Sequence, residues 1–205
     1  MPNVSAVKSK FFGAVAATDA DGISTTASIS GASALTINGA LTSGGSYTSG
    51  DNIGQIVTIT SAGDDSGITF TVVGTNAVGD AQTEVVTGAN TTVASSSGYF
   101  NTVASITTSA SSAAAVTAGV TGTGTGTVFA GRTRIRGLQG LSGTTEGNLL
   151  FKNTSVTGTT LLTVPTQAAA ELIEPYIPDN AVLFDAGAYV NFGSAVATVT
   201  VFYDG

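Results

Sequence analysis

The chain has 205 residues and a net charge of −7, with no Cys and no His. Ser-His and Cys-His nucleophile pairs, thiolate chemistry, disulfides, and zinc, haem or iron–sulfur sites built on those ligands are therefore excluded. Gly, Ser and Thr fill 82 positions and charged residues only 9 %, so catalysis is left with sparse carboxylates, hydroxyls and six Lys or Arg, and a non-enzymatic role without cofactors is expected.

Charge is unevenly placed along the chain. The first ten residues carry Lys8 and Lys10 and no acid. The apolar stretch Phe11–Ala17 imitates a signal peptide, with small residues at Ala14-Val15-Ala16, but seven residues is the short limit for such a segment. The reading adopted is an extended N-terminal arm over residues 1–14 that leads into the first strand. Residues 11–131 then hold seven acids and no Lys or Arg. The remainder mixes both signs, which points to two parts. An acidic chain is a poor ligand for phosphates, so nucleic acid is not expected as a partner. Nor is a membrane, because no block of about 20 strongly apolar residues occurs.

The periodicity along the chain is that of strands. Ala34–Ile37 meets Asn38-Gly39, a strong hairpin signal because both residues tolerate positive φ. Gln55–Thr60 and Ile68–Val73 alternate, the second with Ile68, Phe70 and Val72 on one face. Ser61–Gly67 between them reads as a hairpin connection. Gly74–Asp80 reads as a turn before a strand at Ala81–Thr87, and a further strand is expected at Thr102–Thr107. Short strands at intervals near ten residues predict an antiparallel sandwich over residues 15–130.

Thr121–Thr127 alternates Thr and Gly, either a flexible linker or a flat strand of poorly fixed register. A boundary is placed near residue 130, and residues 131–205 are expected to form a smaller β domain. There Asn148–Lys152 and Thr160–Val164 flank a turn at Thr157-Gly158. Gln167–Glu174 is a short helical candidate. Strands are expected at Ala181–Phe184, Ala188–Phe192 and Ala195–Tyr203, with a turn at Gly193-Ser194. Both faces of the last strand are largely apolar, so it is expected to be central and covered on both sides. The fold class is thus all-β: two antiparallel sandwich-like domains preceded by an extended arm.

Few constellations carry chemistry. Asp19-Ala20-Asp21-Gly22 opens like a calcium loop but lacks the further ligands and the distal Glu, and reads as an acidic turn. Asp64-Asp65 and Asp80 fall at opposite ends of one strand, so a shared metal is not expected. Glu171 and Glu174 would be neighbours on a helix, without a sugar platform beside them. Gly122, Gly124 and Gly126 lack the Lys-Ser/Thr of a phosphate loop. The most informative feature is Arg132-Thr133-Arg134-Ile135-Arg136. As a strand it puts three guanidiniums on one face and Thr133 and Ile135 on the other. That row either pairs with carboxylates, within or between subunits, or protects a solvated edge.

Two segments resemble virion proteins of tailed bacteriophages. The first is Phe70–Asn90 followed by Gly98–Ile106, with the pattern G-T-(D/N)-x-x-G at Gly74–Gly79, then Thr83-Glu84-Val85-Val86-Thr87-Gly88, then Tyr99-Phe100-Asn101-Thr102-Val103 running to Ser105-Ile106. It is similar to an Ig-like sandwich unit of phage structural proteins. The second is Ile177–Val190, with the pattern P-x-x-(G/A)-(I/V)-x-F-x-x-G-x-Y-V, ending in Ala197–Tyr203. It resembles a small phage β-module. The resemblance covers roughly half the chain and implies a structural role. The leading expectation is a capsid decoration (cement) protein on the outer surface of the virion, bound to the major capsid protein and itself a homo-oligomer, a trimer or dimer. Candidate contact residues are Lys8, Lys10, Phe11 and Phe12 of the arm and Arg132, Arg134 and Arg136. The alternatives are a tail, neck or fibre component, or a secreted surface-binding protein.

Overall fold

A computed structural model describes residues 6–168, 170–193 and 196–205; the first five residues of the expected arm, Ala169 of the helical candidate, Ser194 of the expected turn and Ala195 of the expected last strand lie outside them. The described residues form strands and no helix. In chain order these are β1 (Lys8–Phe12), β2 (Asp19–Ala27), β3 (Thr42–Ser43), β4 (Ser46–Thr48), β5 (Gly54–Ser61), β6 (Thr69–Thr75), β7 (Ala81–Thr87), β8 (Val93–Phe100), β9 (Thr102–Thr108), β10 (Val116–Phe129), β11 (Thr133–Ser142), β12 (Gly147–Asn153), β13 (Thr160–Thr166), β14 (Leu172–Ile173), β15 (Val182–Phe184), β16 (Ala188–Gly193) and β17 (Val196–Asp204). The chain divides into two compact units, residues 16–123 and residues 1–15 with 124–205. The division falls inside the Thr-Gly run, a few residues before the expected boundary near residue 130. That run is part of β10, which passes from one unit into the other. Its Thr residues are β-branched and suit extended backbone, and Val116, Val120 and Val128 anchor it by burial.

In the unit of residues 16–123, a sheet containing β8, β5, β10 and β2 covers a second sheet ordered β3-β4-β9-β6-β7. Alternate residues of both turn inward. Ile23, Val57, Ile59, Phe70, Val72, Phe100, Val103, Ile106 and Val116 are all fully buried in one cluster. The β6–β7 hairpin pairs residue for residue from Thr69↔Thr87 to Thr75↔Ala81, as the spacing predicts. Two expected hairpins do not form. Ser61–Gly67 crosses between sheets, because β5 pairs with β8 and β6 pairs with β7 and β9. Asn38-Gly39 folds back onto β2 instead: both backbone N–H groups donate to the Ile23 carbonyl, and the Asn38 side chain accepts from Thr25 N–H. Tertiary partners for Asn38 outcompete the local turn.

In the other unit, β13-β12-β16 with β10 form one sheet and β1-β17-β11-β14 the other, with β15 also on β11. Phe12, Ile135, Leu138, Leu149, Phe151, Phe184, Val190 and Val201 are buried between them. Phe12 meets Phe192 edge to face at 6.2 Å. The N-terminal stretch is extended, but from Lys8 to Phe12 it does not stand apart as an arm: it is an edge strand paired with β17 over Lys8↔Tyr203 to Phe12↔Val199. Burying Phe12 stabilises this docking by roughly 2–3 kcal/mol, which an exposed arm would forgo. The helical candidate at Gln167–Glu174 is also corrected. Leu172–Ile173 pair with β11, and Ser142 and Glu171 bond each other through Ser142 N to the Glu171 carbonyl and Glu171 N to Ser142 Oγ, both 2.8 Å. Pro175 follows too closely for a helix to gain length.

Candidate interaction surfaces

β17 is central, with β1 on one side and β11 on the other. Only one of its faces is covered: Val199 and Val201 are buried, while Thr198, Thr200 and Phe202 are half-buried on the outward face. The expectation of cover on both sides is therefore met on one side only within this unit.

The β1 residues split by the period of a strand. Lys8, Lys10 and Phe12 oppose Tyr203, Val201 and Val199, and Phe12 is in the core. Phe11 opposes Thr200 on the outward face and is 43 % exposed. Lys10 is half-buried at the edge of the sandwich, and burial lowers its pKa. An inward-leaning lysine on an edge strand discourages another strand from adding there. Lys8 donates from Nζ to the Gly205 carbonyl at 2.6 Å and lies 5.7 Å from the centre of the Phe129 ring.

The arginine row is on β11 and just before it, with Thr133 and Ile135 buried on the opposite face as alternation requires. The register slips between Ile135 and Gly137, so Arg136 is the extra residue of a bulge. The slip is why the next buried residue is Leu138, three positions on from Ile135. The carboxylates facing the row come from the same unit, not from the acid-rich residues 11–131. Arg136 Nη2 lies 2.5 Å from Asp204 Oδ2, and its Nε donates to the same oxygen at 2.6 Å. That hydrogen bond raises the Arg136 pKa further. Arg132 is 3.7 Å from Asp185, with both side chains exposed. Arg134 donates to the Asn180 carbonyl at 2.6 Å, and Arg136 to that of Asp179 at 3.1 Å. With Lys8 bound to Gly205, four of the chain's six cations gather at one end of this unit, around a cleft of about 310 Å³ lined by the three arginines, Leu183 and Asp204.

The acidic turns are held by local bonds. Asp21 N donates to Asp19 Oδ1 at 3.2 Å. Asp64 accepts from Ser66 Oγ at 2.6 Å and from its N–H at 3.2 Å, and these bonds hold its carboxyl below the usual range. Asp65 is buried and accepts from Ala113 N at 2.7 Å. Among the described residues no three acidic side chains gather to hold a metal ion, and no helix is long and apolar enough to cross a membrane. Glu171 and Glu174 flank β14 at the rim of a second cleft, of about 240 Å³.

The residues of the phage-like patterns are used by the fold. Asn76 Oδ1 accepts from the N–H groups of Val78 and Asp80, both at 3.0 Å, and Gly79 takes φ 92° to close that loop. A side chain at Gly74 would collide with the Thr102 carbonyl oxygen. Glu84 accepts from Ser97 N at 2.5 Å and Gly98 N at 2.8 Å, joining edge strand β7 to β8 of the facing sheet. In the second pattern the Gly/Ala position is Ala181, at φ 59°, after a turn closed by Ala181 N to the Pro178 carbonyl at 2.7 Å. Alternation along the sequence points to neither Glu84, whose carboxylate bonds the Ser97 and Gly98 amides, nor Gln55, whose side chain bonds Tyr47, Ser49, Ala16 and Thr121.

Comparison with family models, with curated proteins and with solved structures returns no match to this chain.

Proposed function

We propose that the chain is a structural virion protein, a decoration protein on the outer surface of a tailed-phage capsid that bridges major capsid subunits. The observation that carries the reading is that both phage-like segments occur as strand modules, β6–β9 and β15–β17, whose turn residues have the backbone those patterns demand: Gly79 and Ala181 at positive φ and Asn76 capping its loop. Surfaces, not a reaction centre, do the work. The cation-rich end around Arg132, Arg134 and Arg136 suits carboxylates of a neighbouring subunit, and Phe11 adds apolar contact, while Phe12 and Lys10 serve the sandwich itself. Secretion fits less well, because cleavage after Ala16 would remove β1 and Phe12 from the core. The test is quantitative mass spectrometry of purified virions. Hundreds of copies per particle, lost when the outer head surface is stripped, are expected from icosahedral placement. A dozen copies or fewer would move the chain to the tail or neck, and its absence from particles would end the virion reading.

A further inference from the structure

In the unit that contains residues 124–205, β13 ends one sheet and β14 ends the other, and the cleft of about 240 Å³ opens between these two edges. Inward residues make its floor: Val164 and Thr166 of β13, Ile173 of β14 and Ser142 at the end of β11, all buried. Thr166 is 5 % exposed, and its Oγ1 has no hydrogen-bond partner among the described residues. Ser142 Oγ accepts from Glu171 N, which leaves a second lone pair uncommitted. Alternation along β14 turns Glu171 to the inward side with Ile173 and Glu174 to the outward side. No Lys or Arg lines the cleft, and among the described residues none pairs with Glu171. Pro165 and Pro175 lie on the two edges without N–H donors, which discourages a further strand from adding across the opening.

We infer that this cleft binds a primary ammonium group carried on an alkyl chain, the chemistry shared by a lysine side chain and a free polyamine. An ammonium has three N–H donors and no acceptor. The floor offers it the Thr166 and Ser142 hydroxyl oxygens, and Glu171 offers a carboxylate of opposite charge. The methylene stem then runs along Val164, Ile173 and Pro165, as lysine stems do on apolar surface. A buried hydroxyl without a partner opposes folding, and a donor that enters the cleft removes that cost. Other ligands fit worse. An anion meets Glu171 with no cation beside it, and a sugar finds no aromatic face, because none of the lining residues is aromatic. A calcium ion takes about six to eight oxygens, more than one inward carboxylate and two hydroxyls supply. Pockets for drug-sized ligands start at roughly 300 Å³, so this smaller cleft suits a single chain. The inference does not rest on the virion reading.

Amide NMR spectra of the nitrogen-labelled full chain, titrated with n-butylammonium chloride, test it. The expected result is saturable shifts of the Ser142, Thr166 and Glu171 amides, with a dissociation constant on the order of 1–10 mM for so small a ligand. n-Butanol, which lacks the charge, and butyltrimethylammonium, which lacks N–H donors, should leave these amides unshifted. Glu171→Gln should weaken binding about threefold or more, as an exposed ion pair allows. Thr166→Val should weaken it about fivefold or more, the worth of one hydrogen bond. The same variant should keep or raise the thermal midpoint of the free chain, whereas losing a hydroxyl that only supports the fold would lower it. Tighter binding of Nα-acetyl-lysine methylamide than of spermidine assigns the cleft to a lysine of a partner protein; the reverse order assigns it to a free polyamine. The inference is overturned by no saturable shift up to about 100 mM butylammonium, by equal binding of butyltrimethylammonium, by unchanged binding in both variants, or by displacement with an equal amount of calcium chloride.

Discussion

Gln55 shows what a single polar side chain does inside a thin β core. It is fully buried, and its Oε1 accepts from Tyr47 OH at 2.8 Å, Ser49 Oγ at 3.1 Å and Ala16 N at 3.3 Å. Its Nε2 donates to the carbonyls of Ala16 at 3.0 Å and Thr121 at 2.6 Å. Removing it strands several buried donors and acceptors at once. Gln55→Leu is expected to destabilise its unit by about 2–4 kcal/mol, read from the urea midpoint at unchanged slope. Tyr47 feels the same enclosure. Burial pushes its pKa up to about 12, partly offset by the Ser49 hydrogen bond. The unfolded chain ionises near pH 10 while the folded one holds the proton, so stability from this group is intact below pH 10 and lost as pH rises towards 12. The loss reaches about 2–3 kcal/mol. Urea titrations at pH 9 and 11 on Tyr47→Phe and the parent separate this effect from general alkaline unfolding: the parent should lose more.

At the scale of elements, the sandwich of residues 16–123 has an open flank where β7 ends one sheet and β8 the other. Glu84 closes it with two charge-assisted hydrogen bonds to backbone N–H groups that the β8 bulge turns outward. Glu84→Ala is expected to cost about 1–3 kcal/mol and to speed hydrogen exchange at the Ser97 and Gly98 amides, while the β6–β9 ladder stays protected. Uniform acceleration across both sheets would show instead that the carboxylate supports the whole unit. Strand identity was largely readable from sequence: Gln55–Thr60 alternates, Ala81–Thr87 and Thr102–Thr107 are short runs rich in β-branched residues, and all three are strands. Partnering was not. Period 2 says which face of a strand is apolar, but not whether Ser61–Gly67 returns the chain to the same sheet or carries it to the facing one, since both routes bury the same side chains.

For the molecule as a whole, the N-terminus matters more than an appended arm would. β1 supplies an edge and Phe12 supplies core to the unit of residues 124–205, so the two termini of the described chain are tied together through Lys8 and Gly205. Deleting residues 1–12 should unfold or strongly destabilise that unit, by about 2–3 kcal/mol from Phe12 alone, and leave residues 16–123 folded. Two-stage thermal unfolding of the truncated chain would show this, and a single unshifted transition would contradict it. The candidate surface was half legible. The three arginines were readable as one face, and Thr133 and Ile135 as the other. Their carboxylate partners were not, because Asp185 and Asp204 lie about 50 and 70 residues downstream and only the β11–β17 and β11–β15 pairings bring them near.

Composition and alternation alone determine that this chain builds strands, that it lacks thiol and imidazole chemistry, and where its small turn residues fall, since these follow from side-chain inventory and backbone sterics acting over a few residues. Which strands become neighbours, whether the N-terminus stands apart or docks, and which apolar face is left outward were decided by tertiary structure. Those outcomes depend on burial between residues far apart in sequence, such as Phe12 against Phe192, which no preference acting over a few residues encodes.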